Sequence, residues 1–236
     1  MLAGIWSDLA DLVLPAECAG CRGLRLPLRQ GACAACVDRL AALRPAPTRP
    51  TPAPVGLPDL VALGPYQEVL REALLSYKER GRHGLARPLG RLLAEVVAEA
   101  VGEPRPVLLV PVPATARAVR ARHGDHLRRL ARQTALRLRV AGWSVAVAYP
   151  LRALPRPDSA TLDSAGRAAA AEAAFPARVG RVPAARRAAT GRAVVVLDDI
   201  VTTGVTLAAV TRSLRGAGIP VYAAAVLAAT VRRGRG

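Results

Sequence analysis

The chain has 236 residues, 52% of them hydrophobic, which supplies enough apolar side chain for a core and rules out wholesale disorder. Its 34 Lys+Arg against 17 Asp+Glu leave a formal charge of +17, an excess that points to anionic partners, nucleic acid among them. The cations are arginine except for Lys78, and Asn is absent; this is the mark of GC-rich coding, so part of the excess is drift on a tolerant surface.

In chain order, the apolar start is interrupted by Asp8 and Asp11 and has no basic leader, and no stretch reaches the roughly 18 apolar residues of a membrane span. The expectation is a cytoplasmic protein without membrane insertion. All four cysteines then fall in one window, Cys18-Ala-Gly-Cys21 and Cys33-Ala-Ala-Cys36, separated by eleven residues. Two CxxC pairs suit tetrahedral thiolate coordination of a structural Zn²⁺, with no position left open for water. A pair of redox CxxC motifs, or cysteines that are simply buried, are the competing readings. Val37–Leu43 completes a short helix. Pro45, Pro47, Pro50, Pro52, Pro54 and Pro58 follow in quick succession and predict an extended linker that enters neither helix nor sheet. The domain boundary is placed near residue 55, giving a module at 1–55 and a larger domain at 56–236.

The larger domain opens with a strand at Asp59–Pro65 and helices over Glu68–Tyr77 and from about Leu85 to Val101. The continuous apolar run at 106–113 reads as a strand buried on both faces of a parallel sheet. A helix over Gly124–Ala141, strands at Ser144–Tyr149 and Arg192–Leu197, a helix over Thr206–Gly216 and a strand at Val221–Ala228 complete an alternating βα pattern. The fold class is therefore α/β, a parallel sheet flanked by helices. Residues 150–191 interrupt this order with little periodicity and read as a long, mobile insertion of the kind that serves as a lid. Between Pro111 and Pro155 nine arginines face a single acid, Asp125, which marks this region either for anions or as a solvated helix face.

The most informative stretch is Val194-Val-Val-Leu-Asp198-Asp199-Ile-Val-Thr202-Thr203-Gly204-Val205-Thr206. An apolar strand delivers two carboxylates to its carboxyl end, where ligands sit in open α/β sheets. The turn after it opens a helix whose free N–H groups and dipole suit a phosphate, with hydroxyls from Thr202, Thr203 and Thr206 and close backbone approach at Gly204. Paired carboxylates accept from vicinal hydroxyls of a ribose, so one motif reads a sugar diol and a sugar phosphate together.

This stretch resembles the phosphoribosyl pyrophosphate (PRPP) signature of type I phosphoribosyltransferases. Together with the double CxxC module, the Lys78-Glu-Arg-Gly81 turn, the Pro111-Val-Pro113 segment and the arginine-rich run after it, the chain resembles the ComF family of competence-associated phosphoribosyltransferase-like proteins. The resemblance covers nearly the whole chain. It implies a type I phosphoribosyltransferase-like sheet with an N-terminal zinc ribbon at Cys18, Cys21, Cys33 and Cys36. It also implies Asp198 and Asp199 as the catalytic pair on the ribose hydroxyls, and Thr202, Thr203, Gly204, Val205 and Thr206 around the 5′-phosphate. Val112 to Arg122 matches the pyrophosphate loop, so Val112, Pro113, Arg117, Arg120 and Arg122 are candidates there. Arginine suits a diphosphate by charge and by its forked donors. Lys78 is a further candidate, as a compact ammonium able to approach pyrophosphate. His83 reads as a surface loop residue, while His123 and His126 lie beside the loop and can donate to phosphate when protonated.

Relatives in that family often carry Arg-Gly-Phe-Asn-Gln where this chain has Arg122-His-Gly-Asp-His126. Their hood pattern of Gln, Leu, Arg and Asn falls here on Ser159, Leu162, Arg167 and Ala170, which leaves Arg167 as the hood candidate and removes the Gln and Asn side chains from it. The function implied is Mg²⁺-dependent transfer of phosphoribosyl from PRPP to an unidentified acceptor, with pyrophosphate released and a link to DNA uptake and competence-machinery proteins. The alternative is a non-catalytic adaptor for single-stranded DNA in transformation or recombination. With two Trp, four Tyr and one Phe in the chain, an adaptor would bind mainly phosphates, with little base stacking.

Overall fold

A computed structural model of the chain describes residues 17–155 and 174–230. The first elements among the described residues are a hairpin, β1 (Leu28–Arg29) and β2 (Ala32–Cys33), and helix α1 (Ala34–Ala41). A mostly parallel six-stranded sheet follows. Its strands are β3 (Ala46–Pro47), β4 (Asp59–Pro65), β5 (Val107–Pro111), β6 (Val145–Val147), β7 (Ala193–Val201) and β8 (Ala223–Ala229), in the spatial order β3-β4-β8-β7-β5-β6. Helices α2 (Glu68–Lys78), α3 (Ala86–Val101), α4 (Ala116–Ala121), α5 (His126–Val140), α6 (Val182–Ala189) and α7 (Val205–Gly216) flank it. This is the α/β architecture expected from the alternating pattern.

Every residue of β5 and β8 is buried, as a strand covered on both faces requires. β8 is Ala-Ala-Ala-Val-Leu-Ala-Ala, and these small side chains let helices lie close to the sheet. α3 and α5 also approach closely: a Cβ at Gly90 would sit 2.5 Å from that of Gln133, so only glycine fits the crossing.

Two expectations are corrected. The proline-rich segment does join the sheet: Ala46 and Pro47 pair antiparallel with Ala62 and Val61, and the Thr48 N–H donates to the Leu60 carbonyl at 2.8 Å. An edge strand needs donors on one side only, so proline is tolerated there. The insertion is also partly built. Its two ends form a short antiparallel stem, with Arg152 N–H donating to Pro176 O, Leu154 N–H to Ala174 O and Arg178 N–H to Pro150 O. Its last part is α6, an alanine-rich helix with Pro183 in the first turn, where a missing N–H costs nothing. The hood candidate Arg167, with Ser159, Leu162 and Ala170, lies outside the described residues, as does the start of the chain through residue 16.

Candidate functional site

β7 runs four residues further than the apolar run predicted, because Asp198 and Ile200 keep sheet register with Val226 and Ala228 of β8. Asp198 and Asp199 therefore stand inside the carboxyl end of a central strand and point to opposite sides of it. The chain turns at Gly204, which has φ +76° and caps α7. A Cβ there would lie 3.2 Å from both Leu57 and Pro50, so the turn is restricted to glycine by conformation and by the segment packed upon it.

Asp199 is buried and its Oδ2 is held twice. Lys78 Nζ, at the end of α2, lies 2.8 Å away, and His126 Nε2, in the first turn of α5, lies 3.0 Å away. His126 is itself fixed by Tyr77, whose hydroxyl donates to the His126 carbonyl at 2.5 Å. Asp125 caps the same helix by accepting from the Arg128 N–H at 3.0 Å. Burial raises the Asp199 carboxyl, but the His126 hydrogen bond and the Lys78 ammonium outweigh it and hold the group below the usual carboxylate range. Asp198 is half-buried and moves the other way: burial and the adjacent Asp199 charge push it well above its ordinary value, although its Oδ1 accepts from the Asp199 N–H at 2.9 Å. Two neighbouring carboxyls are thus driven apart in proton affinity by their surroundings.

A cleft of about 670 Å³ opens above them, bringing together Lys78, Val112, Pro113, Arg122, His126, Asp198, Asp199, Thr202 and Thr206. Leu154 and Phe175, from the stem of the insertion, form part of its wall. Thr203, Gly204 and Val205 line a small recess of about 40 Å³ that shares Asp198, Thr202 and Thr206 with the cleft. Arg122 reaches the cleft while pairing with Glu79 at 3.1 Å. Arg117 and Arg120 are exposed on α4 and do not line the cleft. His123 is exposed, and His83 lies 3.0 Å from Arg129. Lys78 and His126 thus meet a carboxylate, where the sequence assigned them to phosphate. The Asp125 cap was the available signal, since it puts His126 in a buried first turn. Nothing in the spacing could reveal that Lys78 crosses to the same oxygen.

The four cysteines form a second centre. Their sulfurs all lie within 4.8 Å of one another, and Cys21 and Cys33 are 3.8 Å apart. Tetrahedral zinc with Zn–S of about 2.3 Å requires sulfurs about 3.8 Å apart, so the cluster fits a metal such as zinc. Burial raises the Cys18 thiol, but N–H groups of Cys33 and Gly20, at 3.2 and 3.4 Å, outweigh that and bring it to about 6. Such N–H···S bonds stabilise a thiolate ligand. Among the described residues no helix is long and apolar enough to cross a membrane. No known protein-family model matches the chain, and no curated protein is significantly similar to it.

Proposed function

We propose that the cleft binds PRPP and that the protein is a phosphoribosyltransferase of the ComF type, with the cysteine cluster as its zinc ribbon. The observation that carries this reading is the carboxylate pair at the end of a central parallel strand, followed at once by the threonine turn that opens α7 and faced across one cleft by Lys78, Arg122 and His126. A ribose diol would meet Asp198 at the carboxylate pair, a 5′-phosphate the recess at 202–206, and a diphosphate the Val112–Arg122 side. Asp198 is the carboxylate available to substrate, since Asp199 is committed to Lys78 and His126.

Displacement of pyrophosphate from ribose C1 by a nitrogen nucleophile develops positive charge on the sugar and negative charge on the leaving group. In this reading Asp198 would face the sugar and Arg122 the leaving group, so that each developing charge is stabilised. Mg²⁺ takes carboxylate and phosphate oxygens together; Asp198 fits as its protein donor, and the ion would neutralise the leaving diphosphate. Leu154 and Phe175 give the cleft an apolar flank that limits water.

The test is pyrophosphate release on incubation with PRPP, Mg²⁺ and a panel of bases, together with PRPP affinity of Asp198→Asn. We expect release with at least one base and a loss of affinity of tenfold or more in the variant, whose fold should be intact because among the described residues Asp198 forms no ion pair, and Lys78 keeps its bond to Asp199. Unchanged PRPP affinity in Asp198→Asn would remove the site. The exposed arginines of α4 and α5, among them Arg117, Arg120, Arg128 and Arg132, favour the second reading, an adaptor for single-stranded DNA. Absence of turnover with every base, joined to DNA binding that falls steeply with salt, would favour it over the first.

A further inference from the structure

The recess at 202–206 is open on two sides. Toward the acids it shares Asp198, Thr202 and Thr206 with the main cleft; toward the proline-rich segment it shares Thr202, Thr203 and Val205 with a separate groove of about 450 Å³. The far wall of that groove is formed by residues 48–54 and its end by Thr230. A phosphate seated in the recess therefore has free volume beyond it, on the side away from the ribose.

That volume has a definite chemistry. Among the described residues the groove is lined by no carboxylate and by one charged side chain, Arg49, set among the threonines at 48, 51, 202, 203 and 230. Arg49 is exposed, and among the described residues it makes no hydrogen bond or ion pair. Its backbone is nevertheless held by its neighbours: Thr48 is bonded to the edge of the sheet at Leu60, and Pro50 is packed against Gly204 at the start of α7. An unpaired guanidinium carried on a held backbone among hydroxyls suits a phosphoryl group.

We infer that the groove is an extension subsite, and that beside ligands whose 5′-phosphate is terminal the site takes a ribose whose 5′-phosphate is joined to a second phosphate. The inference rests on the phosphoribosyl reading of the cleft and adds a ligand class to it. The first phosphate occupies the recess at the head of α7, the second lies against Arg49, and the group beyond it emerges along the proline-rich wall.

The probes are ribose 5-phosphate, ADP-ribose and ADP, titrated calorimetrically with Mg²⁺ into the full chain and into Arg49→Ala. Ribose 5-phosphate and ADP-ribose carry nearly the same net charge near neutral pH, so a difference between them does not come from unspecific attraction, and ADP lacks the terminal ribose. The expected result is that ADP-ribose binds at least fivefold tighter than both ribose 5-phosphate and ADP. In Arg49→Ala that advantage should vanish, with ribose 5-phosphate affinity within twofold of the unaltered chain. ADP-ribose binding no tighter than ribose 5-phosphate overturns the subsite, and so does an advantage that survives in Arg49→Ala. Failure of ribose 5-phosphate itself to bind removes the phosphoribosyl reading and the subsite with it.

Discussion

Lys78 and His126 come from different helices and converge on one oxygen of Asp199, at 2.8 and 3.0 Å. The side chains of the pair are little exposed, 18% for Lys78 and 5% for Asp199, so the carboxylate has almost no water to fall back on. Removing one partner of a buried ion pair costs about 3–5 kcal/mol, because the other charge is left uncompensated. Lys78 keeps some solvent contact, and the His126 bond would remain, so Lys78→Met should lie near the low end, about 3 kcal/mol by urea denaturation at pH 7. Adding Asp199→Asn to that variant removes the stranded charge and should recover at least 1 kcal/mol. Strictly additive losses would show that Lys78 and Asp199 are not coupled. The same logic makes Asp199→Asn alone a poor probe of ligand binding, since it strands Lys78. Asp198→Asn carries no such penalty.

At the scale of elements, β7, the turn and α7 form one device. The strand sets the acids, Gly204 reverses the chain in the left-handed region, and α7 begins at once with free N–H groups. An L-residue at such a φ costs about 1–2 kcal/mol, and a Cβ at 3.2 Å from Leu57 and Pro50 would press on the segment that walls the groove. Gly204→Ala should therefore lose about 1–2 kcal/mol in a urea midpoint and bind ribose 5-phosphate at least fivefold more weakly. Wild-type affinity in that variant would mean the turn does not seat the phosphate. This device was largely legible in the sequence, since apolar strand, paired acids and a Thr-Gly turn lie consecutively. The wall at 48–54 was not. Prolines there correctly signalled an absence of donors, but an edge strand needs few, and only the three-dimensional register shows Ala46 and Pro47 beside Ala62 and Val61. The helix at the end of the insertion was not legible for a related reason: Ala185 and Ala189 are α6's buried residues, and an alanine stripe leaves almost no hydropathy contrast to read.

For the molecule as a whole, the question is how far the cysteine cluster supports the cleft. The two are joined through α2. Ser76 Oγ donates to the Ala19 carbonyl at 3.2 Å, two residues before Lys78. Arg82, just after the helix, donates to the carbonyls of Glu17 and Gly31. Gly20 lies so close to Cys36 and Val69 that a Cβ would sit 2.8 Å from the Cys36 sulfur and 2.9 Å from Val69. A metal that gathers the four sulfurs would therefore also hold the backbone that receives these bonds. Three hydrogen bonds at about 1 kcal/mol each amount to about 3 kcal/mol, and in a protein of this size each kcal/mol moves Tm by about 2–4 °C. Protein purified without chelator should contain about one zinc per chain. Stripping the metal under reducing conditions should lower Tm by about 6–12 °C and weaken ribose 5-phosphate binding in step, because α2 carries Lys78 to Asp199. A stripped protein with unchanged Tm would show that the cluster is not a structural metal site. A lowered Tm with unchanged ligand affinity would show that α2 holds its place without the module.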